Sequence, residues 1–148
     1  MNPTLFAILA VIVGGALTAL QGPTNARLAG AVASPVNAAL ISFAVGTAVL
    51  MVLAAALHTR PDMAATRALP PAAWLGGLYG AVFVVAAAYA VPKLGVATTI
   101  VLMVAGQMML SLILDHFGFM GVPKQPITLT RLAGVAMLIG GVLLVRKS

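Results

Sequence analysis

Charged side chains cut the chain into five uncharged, mostly apolar stretches: Met1 to Ala26, Leu28 to Thr59, Ala68 to Pro92, Leu94 to Leu114 and Leu132 to Val145. A helix that crosses the hydrocarbon of a bilayer needs about 20 predominantly apolar residues, and each of the first four stretches exceeds that length. The fifth is shorter, but it can borrow Ile127 to Thr130 upstream while Arg131 snorkels along its aliphatic stem toward headgroups. In hydrocarbon, only a helix lets an open chain satisfy its own backbone N–H and C=O groups. The expected fold is an all-α membrane protein: a single transmembrane domain over 1–148 with five helices at roughly 3–21, 36–57, 72–91, 95–115 and 128–146.

Breakers support these limits. Asn2-Pro3 opens the first helix, Ser34-Pro35 precedes the second and Pro70-Pro71 the third, Pro92 closes the third, and Pro123 with Pro126 brackets the last loop. Trp74 and Tyr89 stand near opposite ends of the third helix, where amphipathic rings favour the interface. The longest loop, His58 to Pro71, is too short to fold alone. No Lys or Arg precedes the first helix and its apolar run exceeds a signal-peptide core, so it is expected to stay as a membrane helix. Its end has two readings. Gln21 to Arg27 is either a polar loop or a proline-kinked continuation running to about Ala31; the continuation is preferred, because neighbouring groups can repair the backbone bond that Pro23 removes.

Small residues recur at four-residue spacing: Gly76 with Gly80, Gly77 with Ala81, Ala38 with Ser42 and Gly46, and Ala136 with Gly140. Such ridges let helix backbones approach closely in lipid, where hydrophobicity supplies no attraction between helices. Gly76, Gly80, Ser42, Gly46 and Gly140 are accordingly the candidate packing positions, although Gly and Ala are abundant throughout.

Polar residues follow the same helical spacing. Gln107, Ser111 and Asp115 lie four apart on the fourth helix, with Thr99 and Met103 extending the stripe; Gln21 and Asn25 lie four apart on the first, followed by Arg27. Polar groups in a membrane helix face protein or water rather than lipid. They are either interhelical hydrogen-bonding groups or the wall of a substrate pathway, at a broken helix in the case of Gln21 and Asn25. Asp115, at the helix end beside His116, reads as a solvated or lysine-paired carboxylate rather than a buried proton carrier. His116 reads as interfacial, since no second ligand stands at metal-site spacing.

Composition agrees: 62% of the 148 residues are hydrophobic and 7% charged, against the roughly 25% charge of a soluble domain. The formal charge of +6 does not imply a nucleic-acid partner, because the eight basic residues fall singly or in pairs between membrane segments. With the N-terminus cytoplasmic, Arg60, Arg67, Lys124 and Arg131 lie on the cytoplasmic side and Arg27, Lys93, Arg146 and Lys147 on the other. Orientation follows from an imbalance of Lys and Arg, and this division offers none. It points to dual topology, with copies inserted both ways and paired as an antiparallel homodimer of ten helices; the alternative is one orientation fixed by other features. The bilayer, a second copy and a small molecule are the expected partners. Without cysteine, glutamate, an acid pair, a metal cluster or a phosphate-cradling glycine loop, neither catalysis nor any cofactor or metal is expected.

Gln21-Gly22-Pro23-Thr24-Asn25-Ala26-Arg27-Leu28, Pro92-Lys93-Leu94-Gly95, Gly106-Gln107 followed by Asp115-His116-Phe117-Gly118, and Arg131-Leu132-Ala133-Gly134 with Gly140-Gly141 resemble the YdcZ-type branch of the drug/metabolite transporter superfamily. The resemblance covers essentially the whole chain and is most specific over Gln107 to Gly118. It implies a five-helix protein of the bacterial inner membrane, in a family with dual-topology singletons, paired genes and fused forms, beside relatives of ten helices in two inverted halves. It brings no established substrate and no transferable binding residues. Small multidrug transporters of the superfamily use a mid-membrane Glu in the first helix, which this chain lacks. The expected function is secondary transport of a small polar or amphiphilic metabolite by alternating access, with Gln21, Asn25, Gln107 and Ser111 lining the pathway, Arg27 attracting an anionic group and Asp115 pairing with a cation or gating the exit. A dual-topology ion channel and an accessory or structural membrane subunit are the alternatives.

Overall fold

The computed structural model describes residues 2–147, with side-chain surroundings given for all of these except 142 and 145–147. Arg146 and Lys147, counted above for orientation, therefore have side chains outside the described set. Among the described residues all regular structure is helical: α1 (Pro3–Ala31), α2 (Pro35–Ala56), α3 (Met63–Arg67), α4 (Gly76–Leu94), α5 (Val96–Phe117) and α6 (Leu129–Lys147), with a 3-10 turn over Pro71–Leu75 leading into α4. Among the described residues α1, α2, α4 with its 3-10 turn, and α5 are long and apolar enough to cross a membrane, and Leu129–Gly141 of α6 is a further apolar stretch.

The first two helices start by the same device. The Asn2 side chain accepts the Thr4 N–H at 2.9 Å with Pro3 in the first turn, and the Ser34 hydroxyl accepts the Asn37 N–H at 3.2 Å ahead of Pro35. Each cap satisfies a donor that a helix start leaves unpaired, and each proline occupies a position where no N–H is needed. α1 then runs unbroken through Pro23 for 29 residues. Pro23 has no N–H to offer the Ala19 carbonyl; the Leu20 carbonyl beside it also accepts the Thr24 hydroxyl at 2.8 Å. At 1.5 Å per residue α1 is about 43 Å long, beyond the roughly 30 Å of a hydrocarbon core.

The third segment needs one correction. It begins at Pro71, next to the expected start, as a 3-10 turn that carries Trp74 and becomes α-helical at Gly76. Pro92 does not close α4: it sits inside the last turn, and the helix reaches Leu94 before Gly95 takes φ +78°, ψ 163°. Near a helix end, a lost N–H leaves one carbonyl unpaired without breaking the chain of bonds on both sides, whereas that Gly95 conformation is open essentially to glycine alone. The 58–71 loop gains a single turn, α3, because the Asp62 carboxylate accepts both the Ala64 and Ala65 N–H at 3.0 Å.

The chain divides into two compact units, 1–93 and 94–148. In the first, contact depends on the smallest residues. Ala29 of α1, Ala38 of α2 and Ala88 of α4 form a buried cluster flanked by Leu28 and Val32. A Cβ on Gly22 would stand 3.2 Å from the Val91 Cγ2, and one on Gly80 would stand 3.2 Å from the Phe43 Cζ. α4 thus approaches α1 at Gly22 and α2 at Gly80. Dispersion falls steeply with a gap, so close approach is what makes apolar helices adhere in lipid. By contrast, a Cβ on Gly46, Gly76 or Gly140 would meet nothing within 4 Å among the described residues, and Ser42 is half-buried. In the second unit, α5 packs with α6. α5 ends at Gly118 in the left-handed conformation, φ +66°, whose N–H donates to the Leu114 carbonyl.

Candidate functional site

The polar positions of α1 fare differently from one another. Gln21 and Arg27 are exposed, whereas Asn25 is only 2% exposed and shares a buried face with Gly22 and Ala29. Its side-chain nitrogen is buried and, among the described residues, has no hydrogen-bond partner. An amide donor removed from water without a partner costs roughly 1–3 kcal/mol, and native proteins leave few such groups. The continuation of the helix through Pro23 is what turns Asn25 inward. As part of a loop it could have reached water. Gly22, one turn earlier, is pinched against Val91, so the polar amide stands beside one of the closest helix approaches in the first unit.

On α5, Gln107 is exposed and Ser111 half-buried. The Ser111 hydroxyl donates to the Met108 carbonyl of its own helix at 2.9 Å, the usual way a serine satisfies itself in an apolar helix. Thr99 does the same: it is 3% exposed and donates to the Gly95 carbonyl at 2.7 Å. Neither hydroxyl depends on another helix for its donor bond.

Asp115 departs from expectation. Its partner is not a lysine: Arg131 Nη1 lies 3.2 Å from Asp115 Oδ2, with Arg131 30% and Asp115 35% exposed. The other Arg131 nitrogen donates to the Gln125 side-chain oxygen. The Gln125 N–H in turn donates to the Asp115 carbonyl at 2.8 Å. The Arg131 guanidinium is therefore held at the end of α5. The guanidinium fork reaches two acceptors at once, which an ammonium does not do with fixed geometry, and Thr128 holds its base by accepting the Arg131 N–H at 3.3 Å. His116 accepts the Ile127 N–H through Nδ1 at 3.3 Å. The α5 to α6 connection is thus tied back to the end of α5 at two points, and Arg131 ties the start of α6 to the same place. A search of spacing on one helix could not find this network, because its partners stand 11 and 16 residues apart.

Among the described residues, no group of three or more His, Cys, Asp or Glu is placed to hold a metal ion. The site residues read from the sequence fall on the two units: Gln21, Asn25 and Arg27 on the first, Gln107, Ser111 and Asp115 on the second.

Four long apolar helices with almost no buried residues in their most apolar stretches, 0% in α1, define a multi-pass membrane protein whose helix surfaces face lipid or other helices rather than water. Within that class, residues 6–144 match the family described as "Putative inner membrane exporter, YdcZ". The chain belongs to this family, and it is a multi-pass membrane transporter of the inner membrane. No curated protein and no solved structure matches it.

Proposed function

We propose that the chain carries a small polar or amphiphilic metabolite by alternating access, working as an antiparallel homodimer, with Gln21, Asn25, Arg27, Gln107, Ser111 and Asp115 along the substrate route. The observation that carries this reading is the buried, unpaired amide of Asn25. A donor kept dry and unsatisfied is costly to the resting protein, and a substrate acceptor that reaches it recovers the lost bond. The carbonyl of Ala19, freed by Pro23, adds an acceptor on the same stretch of helix, as at the broken helices of transporters. Asp115 is less available, since drawing it into a gate or onto a cation requires breaking its bond to Arg131.

Replacing Asn25 and Gln107 together by alanine is expected to lower the counterflow rate of an identified substrate in liposomes at least tenfold, while leaving the protein folded and inserted. An unchanged rate refutes the assignment. Flux far above carrier turnover, without saturation or counter-transport, favours the channel. No flux at all favours an accessory subunit.

The dimer is supported by the even division of basic residues and by Gly46, Gly76 and Gly140, where an added Cβ would meet nothing within 4 Å among the described residues. Two C-terminal reporters, one active only in the cytoplasm and the other only outside it, are both expected to give signal. Signal from one alone excludes an antiparallel pair of identical chains.

A further inference from the structure

An open groove of about 470 Å³ runs along α4 in the first unit, lined by Pro35 and Val36 at the start of α2 and by Ala81, Val82, Val85, Ala86 and Tyr89 of α4. Its α4 residues follow the four-residue rows of one helix face, and the next position on the row through Val85 and Tyr89 is Lys93. The Lys93 ammonium sits over the Tyr89 ring, 4.4 Å from its centroid, a favourable placement of a cation on a π face. The apolar groove therefore ends in a positioned positive charge. From Ala81 to Lys93 the strip is about 18 Å long at 1.5 Å per residue, against about 15 Å for one leaflet of a 30 Å hydrocarbon core. Tyrosine and lysine are residues of the membrane interface.

We propose that this groove is a binding site for an anionic phospholipid, one acyl chain lying along Ala81 to Ala86 and the phosphate pairing with Lys93 above Tyr89. The strip is close to a single leaflet in length, carries no polar group where an acyl chain would lie, and ends in a positive charge that attracts the phosphate of either headgroup but repels the choline ammonium of a zwitterionic one. Lys93 is at the end of a spanning helix, where phosphate oxygens are available to its three donors. The site is independent of the transport route proposed above.

Native mass spectrometry of the purified protein tests this with phosphatidylglycerol and phosphatidylcholine of identical acyl chains, added singly and in competition. The intact protein is expected to retain phosphatidylglycerol about fivefold better, the contribution of one basic side chain near a membrane surface. Lys93→Gln should abolish that preference and Lys93→Arg keep it. Val85→Trp, which fills the groove, should reduce retention of both lipids. Arg60→Gln, in the loop after α2, should leave the preference unchanged. Equal retention of the two lipids, or a preference that survives Lys93→Gln, overturns the proposal. If Val85→Trp lowers the dimer fraction instead of lipid retention, the groove belongs to a second copy and the proposal also fails. Free inorganic phosphate should not displace the lipid; displacement would mean that Lys93 binds a soluble anion and the groove is incidental.

Discussion

Arg131→Glu is expected to lower the unfolding temperature of the detergent-solubilised protein by roughly 4–8 °C, the shift that a loss of about 2 kcal/mol produces in a chain near 150 residues. Arg131 joins Asp115 of α5 and Gln125 of the connection to the start of α6. Both charges are about one-third exposed, so the attraction alone is worth no more than about 1 kcal/mol. Glutamate at 131 replaces that attraction by repulsion of similar size at a few ångströms and leaves Gln125 without its donor. Asp115→Asn, which removes the charge but keeps an acceptor, should cost less than half as much. The decisive protein is the exchange Asp115→Arg with Arg131→Asp. If the ion pair holds α5 to α6, the exchange recovers most of the loss and the double-mutant cycle gives a coupling well above 0.5 kcal/mol in magnitude (roughly the additivity error of distant sites). Additive losses would show that Arg131 acts only through its bond to Gln125 or through its stem.

That network also marks where local sequence pattern stops being informative. The uncharged stretches, the Asn2-Pro3 and Ser34-Pro35 starts and the helix through Pro23 all follow from interactions within four residues, and such features can be read along one segment. The partner of Asp115 cannot. Its choice depends on how the connection from Gly118 to Thr128 folds back, which is set by the left-handed Gly118 and by the Ile127 N–H reaching His116. Pro92 misleads for a related reason: proline is a reliable stop inside a helix, but near the end its cost is one carbonyl, and the glycine three residues later sets the limit. The buried state of Asn25 was half legible. Its spacing from Gln21 suggested a shared polar face, yet Gln21 is exposed and the face that buries Asn25 contains Gly22 and Ala29 instead. The small-residue ridges divide likewise. A Cβ on Gly80 would meet Phe43, whereas one on Gly46, Gly76 or Gly140 would meet nothing within 4 Å among the described residues, and spacing on one helix does not say which glycine will find a neighbour.

Gly22→Leu is expected to destabilise the first unit by about 2 kcal/mol, within the range for overpacking a tight contact. A Cβ at position 22 lies 3.2 Å from the Val91 Cγ2, tighter than relaxed carbon contacts of about 3.5–4.0 Å. Alanine asks Val91 to yield by a few tenths of an ångström and recovers up to about 1 kcal/mol of helix propensity, so Gly22→Ala should be close to neutral. Leucine leaves no such escape. It wedges α1 from α4, and the Ala29, Ala38 and Ala88 cluster of the same unit opens with it. Val91→Ala removes the opposing methyl groups and should restore at least half of the lost stability, measured by thermal unfolding in detergent. Failure of that rescue would show that Gly22 is needed for its backbone beside Pro23 and not for the approach of α4. Gly46→Leu provides the contrast, because a Cβ there meets nothing within 4 Å among the described residues. If it leaves a monomeric preparation untouched but weakens the assembled protein in the membrane, position 46 faces a second copy, and close approach through glycine operates both within the chain at Gly22 and between chains at Gly46.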